Sequence, residues 1–306
     1  MNEREKKYSL IIPHYKDIVR LRRLLVSLPK RNDLQIIVVD DFSVNILDLK
    51  KLENEFDNLE IYQLPSNQGA GAARNFGLAQ AIGKYLLFAD ADDEFLTGAF
   101  DIFDSKLIVE GDVFYFLSKA IQEISGLHSI RADYFNQLCI EYLEDETENK
   151  LLNLKLGHCV PWSKVYLRDF IVSTKIIFDE TFVANDVYFN VINALLAKRI
   201  FVFNDYVYKV YRLSDSLSST SSASRLITRV SVLAKVARKR KELGIVEKMY
   251  GSGYLLDAAK FGFPTFCKIF LIILRSDLHF GLMRFFEPTR WIKYLKNRST
   301  LSAEKK

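Results

Sequence analysis

Three carboxylates fall within four residues at Asp90-Ala91-Asp92-Asp93, directly after the apolar run Tyr85 to Ala89. Two aspartates separated by one residue on an extended chain point to the same side and can share a hard cation. Mg2+ or Mn2+ on a diphosphate is the ordinary use of such a pair. A short acidic run is also how many exposed turns are written, so the weight of the motif comes from what surrounds it. A second acidic pair, Asp40-Asp41, closes the apolar run Gln35 to Val39, and a further carboxylate, Asp186, follows Asn185 at the start of an apolar periodic segment.

These residues need a scaffold, and the hydrophobic pattern supplies one. Tyr8 to Ile12 is a short β-rich run stopped by Pro13, and Ile18, Leu21, Leu24, Leu25 and Leu28 then mark one face of a helix. Gln35 to Val39, Leu59 to Leu64, Tyr85 to Ala89 and Asp112 to Leu117 read as further strands, with helices predicted over Gly71 to Ile82 and Thr97 to Leu107. Strands alternating with helices predict an α/β architecture with a mainly parallel central sheet flanked by helices. The polar clusters sit just past strand ends, where open parallel sheets place their ligand crevice. Residues 120–155 carry no clear period. Asn185 is a candidate cap for a helix burying Val187, Val191, Ala194 and Leu195, and Ile200 to Arg212 reads as extended chain.

Composition removes several classes. At 306 residues with 49% hydrophobic side chains the chain can build a well-buried core. Cys139, Cys159 and Cys267 are odd in number and show no paired spacing, which argues against a disulfide framework and, with only His158 adjacent to Cys159, against a zinc site. The N-terminal apolar run is too short for a signal peptide, so a cytoplasmic location is expected. Gly69-Ala-Gly71-Ala-Ala-Arg74, with Asp90 downstream, imitates a dinucleotide fingerprint, but its third glycine is replaced by Arg74 and it opens a later helix of the fold.

Four segments taken in order, Ser9-Leu-Ile-Ile-Pro-His-Tyr15, Val38-Val-Asp-Asp41, Asn67-Gln-Gly-Ala-Gly-Ala-Ala-Arg-Asn75 and Leu87-Phe-Ala-Asp-Ala-Asp-Asp93, resemble the family 2 glycosyltransferases over roughly residues 8–220. The resemblance implies the GT-A fold and an inverting transfer of a sugar from a nucleotide diphosphate. It places Pro13, Tyr15, Asp41, Asn67 and Gly69 around the donor nucleotide, with Tyr15 as a stacking ring and Asp41 as an acceptor for a base N–H. Arg74 is expected at the base or diphosphate. Asp90 is expected at the ribose and, with Asp92, at the Mn2+ or Mg2+ ion. Asp93, Trp162 and Lys164 are candidates for the sugar or acceptor side, Trp162 by stacking on a pyranose face.

The block Pro161-Trp-Ser-Lys-Val-Tyr166, Phe178-Asp-Glu180 and Asn185-Asp-Val-Tyr-Phe189 looks like the acceptor side of the same family. There a Glu-Asp pair precedes the aromatic residue; here Asn185 stands in the Glu position and Asp186 remains as the expected general base. That departure keeps open a catalytically silent nucleotide-sugar binder or assembly subunit. A nucleotidyltransferase is disfavoured because residues 9–16 contain no glycine. The expected donor is a UDP-hexose or UDP-N-acetylhexosamine, and the expected acceptor a glycan or lipid-linked oligosaccharide of capsule, exopolysaccharide or lipopolysaccharide.

A Ser-rich run, Ser214 to Ser224, sets the expected boundary between a catalytic domain over 1–220 and a helical segment over 221–306. The two differ in charge: 18 Lys/Arg against 6 Asp/Glu after residue 220, a net +12, and 25 against 32 before it, a net −7. The basic segment mixes Phe261, Phe263, Phe266 and Phe270 to Leu274 with Lys260, Lys268 and Arg275, and continues through Arg284, Arg290, Trp291, Lys293, Lys296 and Arg298. It is too interrupted to span a bilayer. A helix lying on the anionic inner face of the cytoplasmic membrane is expected, packing on the catalytic body being the alternative. Nucleic acid is not expected as a partner, since no binding motif accompanies the charge.

Overall fold

The computed structural model describes residues 6–44, 46–212 and 222–281, and the chain divides into two compact units, one ending at Leu213 and the other beginning at Ser214. In the first unit the expected α/β architecture is present. Its elements run β1 (Tyr8–His14), α1 (Ile18–Val26), β2 (Leu34–Asp40), α2 (Ile46–Lys50), β3 (Leu59–Gln63), α3 (Ala70–Gln80), β4 (Tyr85–Phe88), β5 (Glu94–Phe95), α4 (Ala99–Lys106), β6 (Val113–Gln122), α5 (Asp133–Glu144), α6 (Glu148–Gly157), β7 (Lys164–Leu167), α7 (Arg168–Thr174), α8 (Val187–Leu196) and β8 (Ile200–Arg212).

The eight strands form one sheet in the order β3-β2-β1-β4-β7-β6-β8-β5. The half made by β3, β2, β1 and β4 is parallel, so its strand ends line one edge. The register places His14 opposite Asp40 and Asp40 opposite Gln63, a row of polar residues at that edge. The other half is mixed: β7 enters antiparallel between β4 and β6, and β8 runs parallel to β6 with register shifts between Tyr115 and Ser118.

Side chains alternate across β1, and each face has its own core. Tyr8, Leu10 and Ile12 pack with Leu21, Leu24 and Leu25 of α1 and Phe100 and Phe103 of α4. Ile11, Ile37 and Val39 pack on the other side with Ala72 and Ala73 of α3 and Phe189 of α8. Both faces of the central strands are covered, which is why they are apolar without alternation.

The second unit contains α9 (Ala223–Glu242), α10 (Gly253–Ala259) and α11 (Phe263–Leu274). Leu226, Val230, Ala237, Ala258, Ile269 and Ile273 form its core. Ser222 caps α9 by accepting from the Arg225 N–H. Among the described residues no helix is long and apolar enough to cross a membrane. Most of the Ser-rich run, 214–221, the cationic positions Arg284, Arg290, Lys293, Lys296 and Arg298, and the aromatic Trp291 lie outside the described residues.

Candidate active site

At the parallel edge, β1 passes through buried Pro13 and His14 to Tyr15, whose ring is 45% exposed and has the Lys16 ammonium 4.6 Å from its centroid. The Asp41 N–H donates to the His14 carbonyl at 2.8 Å and ties the ends of β1 and β2 together. The two aspartates here are fully engaged. Asp40 accepts from the Ser43 hydroxyl at 2.6 Å, the Ser43 N–H at 2.7 Å and Gln63 Nε2 at 3.0 Å, and meets His14 Nδ1 at 2.8 Å. Burial raises its pKa, but these hydrogen bonds together outweigh burial and hold it below the usual carboxylate value. Asp41 accepts the Gln68 N–H at 2.6 Å and the Gly69 N–H at 2.8 Å, while Asn67 Nδ2 donates to the Asp41 carbonyl at 3.3 Å. Asp41 and Asn67 therefore shape the loop that launches α3.

That loop needs its glycines. Gly69 has φ +88°, a left-handed conformation open mainly to glycine. A Cβ on Gly71 would stand 2.0 Å from the Asp179 carbonyl oxygen, so the missing side chain is what lets the segment through Asn185 lie against α3. This close approach is the physical content of the Gly-Ala-Gly stretch.

Arg74 exploits it. Its buried guanidinium donates to Asp90 Oδ1 at 2.5 Å and to Asn185 Oδ1 at 2.8 Å, and lies 5.4 Å from the Phe178 ring centroid. Segments more than a hundred residues apart are thus joined through one side chain. Both outer nitrogens of Arg74, the residue expected at the base or diphosphate, bond to protein, and the residue is only 4% exposed.

The acids after β4 contrast with those after β2. Asp92 is pushed up to about 6, by burial first and then by the neighbouring charge of Asp90, with Arg20 and Arg23 opposing. Asp93 is raised well above its ordinary value by burial, then by Asp92 and Asp90. Its side chain is buried and accepts the Tyr211 N–H at 2.9 Å, which anchors the end of β8. Arg23 donates to the Asp92 carbonyl, binds Glu123 at 2.7 Å and lies over the Tyr211 ring at 3.7 Å. The Asp90 N–H donates to the Tyr208 hydroxyl at 3.0 Å. Arg20, Arg23, Glu123 and Tyr208 carry no motif signal in the sequence, since their role depends on which elements meet.

Among the described residues no group of three or more His, Cys, Asp or Glu side chains is arranged to hold a metal ion. The Asp90–Asp92 turn still fits one. Its donors are hard oxygens, its carboxylates crowd one another, and Mg2+ is usually held by one or two carboxylates with substrate phosphate and water completing the shell.

On the other side of Arg74, Asp186 stands at the N-cap position of α8, and its side chain makes no capping bond. Burial raises its pKa, Arg74 opposes and Asp90 adds to the rise, a mutual influence that puts the two acids in one electrostatic neighbourhood. Asn190 Nδ2 donates to the Asp186 carbonyl at 2.8 Å, and Asn190 Oδ1 accepts from Tyr166 at 2.5 Å and from Lys164 Nζ at 3.2 Å. Lys164 also donates to the His158 carbonyl at 2.6 Å, and burial brings its pKa down to about 7.

Trp162 and Lys164 are each 2% exposed. Trp162 stacks on Tyr208 with centroids 6.1 Å apart and meets Phe135 edge-on. Both residues, expected on the sugar or acceptor side, face inward. They brace the walls: Trp162 backs the tyrosine that holds Asp90, and Lys164 backs the asparagine that holds Asp186.

A parallel-edged α/β sheet with paired acids after its fourth strand, joined through an arginine to the asparagine that precedes a further acid on a helix N-terminus, is the architecture of a nucleotide-sugar-dependent glycosyltransferase. The family model for glycosyl transferase family 2 matches residues 9–172, more than half of the chain, and the chain belongs to that family. It is similar to the poly(ribitol-phosphate) beta-N-acetylglucosaminyltransferase TarS of Staphylococcus aureus, 30% identical over 227 residues, which is 70% of this chain and 37% of that protein. The chain therefore spans little more than a third of this relative. A crystal structure of residues 1-349 of S. aureus TarS in complex with UDP-GlcNAc covers 83% of this chain and 71% of its own, with a TM-score of 0.61 and 23% identity. The mannosyltransferase PcManGT from Pyrobaculum calidifontis, in complex with GDP-Man and Mn2+, covers 99% of this chain and 87% of its own, with a TM-score of 0.53 and 13% identity. These likenesses establish the GT-A fold.

Proposed function

We propose that the chain transfers a sugar, with inversion, from a nucleotide diphosphate to a hydroxyl group of a surface-glycan acceptor. The observation that carries the reading is the Arg74 bridge, which links Asp90 at the donor edge to Asn185, the residue next to Asp186. Tyr15 offers its exposed ring to the nucleobase, and the loop held by Asp41 carries Asn67 and Gly69 to the donor. Asp90 and Asp92 would hold Mn2+ or Mg2+, which supplies positive charge opposite the departing diphosphate. Asp186 accepts the acceptor hydroxyl proton as that oxygen attacks the anomeric carbon from the side opposite the leaving group, so one carboxylate suffices. The raised pKa of Asp186 makes it a stronger base than an exposed aspartate. A UDP-hexose or UDP-N-acetylhexosamine is the favoured donor, in keeping with the UDP-GlcNAc bound by the TarS structure. An anionic, phosphate-containing glycan is the favoured acceptor, in keeping with the names of TarS and of GgaB, a minor teichoic acid biosynthesis protein of Bacillus subtilis.

The test is donor turnover and UDP–Mn2+ affinity in the parent and in Asp186→Asn. Loss of about 10²–10⁴-fold in turnover with unchanged UDP affinity is expected. A parent that binds UDP–Mn2+ yet turns over no donor would instead identify a silent nucleotide-sugar binder.

A further inference from the structure

We infer that the α9–α11 face of the helical unit is a docking surface for an anionic phospholipid bilayer. It concerns residues of that unit only, so it stands or falls independently of the transfer reaction.

The face combines two features that need different partners. Arg238 of α9, Lys268 of α11 and Arg275 just after it line a concavity of about 500 Å3 together with Ala234, Leu271 and Ile272. Among the described residues none of these three cations has an ion-pair partner, whereas Lys241 nearby is matched by Asp277. Next to them, Phe263, Phe270, Leu271 and Leu274 recur at helical spacing along α11 and are 77%, 39%, 43% and 60% exposed. The opposite side of α11 is already buried, Ile269 and Ile273 lying in the core of the unit. The helix is apolar on both sides, and only one of them is covered by described residues.

Each simpler occupant satisfies half of this. A soluble polyanion neutralises the cations and leaves four large apolar side chains in water. An apolar protein partner covers the stripe and strips water from three unpaired cations, which is costly. The boundary between acidic headgroups and acyl chains meets both demands at once: phosphates at the concavity, hydrocarbon against the stripe. At 12 residues α11 is about 18 Å long, so it lies along the surface and does not cross.

The experiment is flotation of the full chain with vesicles of mixed phosphatidylglycerol and phosphatidylcholine, beside vesicles of phosphatidylcholine alone. Binding to the mixed vesicles is expected, weakened by salt, and reduced about a hundredfold by the combined changes Arg238→Glu, Lys268→Glu and Arg275→Glu. Phe270→Ser with Leu274→Ser is expected to abolish the salt-resistant remainder. All five side chains are exposed, so the variants should keep the parent's melting curve; if one does not, the salt dependence of the parent still decides. Equal binding to both vesicle types, or tight capture of soluble dextran sulfate without vesicle binding, overturns the proposal.

Discussion

Two strand ends of the same sheet carry adjacent aspartates, and they have opposite fates. After β2, Asp40 and Asp41 are saturated by hydroxyl, amide and backbone N–H donors, and Asp40 titrates below its ordinary value. After β4, Asp92 and Asp93 have their pKa values raised by burial and then by neighbouring carboxylates, Asp90 for Asp92 and Asp92 with Asp90 for Asp93. Acidic residues after a parallel strand are thus not one signal. The first pair builds the loops; in the second, Asp93 anchors β8 and Asp92 is left as a carboxylate whose charged form burial and Asp90 disfavour. What separates them is the supply of donors: Ser43, Gln63 and the loop before α3 surround the first pair, while the turn at the second directs its backbone carbonyl, not its carboxylate, to Arg23.

The sharpest way to break this contrast is to neutralise one member of each pair. Asp92→Asn should lower sugar transfer by about 10²–10⁴-fold while leaving the fold intact, since the amide removes a strained charge. Asp40→Asn should do the reverse in kind. It replaces a buried acceptor facing three donors by a group that can accept at only one atom, and the expected loss is about 2–4 kcal/mol of unfolding free energy, read from urea midpoints. An Asp40→Asn protein as stable as the parent would remove the distinction drawn between the pairs.

The parallel half of the sheet was legible because β1, β2 and β4 are apolar runs ended by polar clusters, and the α1 periodicity is clean. Four-residue β7 was not read as a strand, because Lys164 to Leu167 becomes one only by pairing with β4 and β6. The stretch 120–155 hid α5 and α6; in α6 the leucines are spread around the helix and only Leu154 is fully buried. At the site, residue type located the acids but not their partners. Arg74 was singled out, yet its bond to Asn185 crosses 111 positions. Trp162 and Lys164 drew attention because such side chains can bind sugars and phosphates, and only tertiary packing shows them facing inward.

The smallest expected effect is also the one that reads both pairs in a single series, the pH dependence of stability in metal-free protein. Asp92 has a folded-state pKa raised to about 6, so the native state holds this proton more tightly than the unfolded chain does. Its contribution is fully present below the unfolded value of 3.8 and disappears as pH rises through about 6. A shift of this size corresponds to about 3 kcal/mol, reduced to about 1–2 kcal/mol by the partial solvation of the turn. Asp40 has a lowered folded-state pKa, so its contribution is present above 3.8 and is lost as pH falls below that value. Urea midpoints measured in EDTA from pH 3 to 7 should therefore show Asp92→Asn gaining on the parent across about pH 4 to 6. Asp40→Asn should lose ground to the parent above 3.8 and converge with it in acid. Taking each variant against the parent cancels the carboxylates that do not interact with the altered site, such as Asp104, held at about 2 by Arg31, Lys7 and Tyr8 against burial, whereas Asp93, raised in part by Asp92, shifts along with it. If the Asp92→Asn difference is flat from pH 4 to 6, the carboxylate at the end of β4 is not under electrostatic strain, and the two acidic strand ends are physically alike.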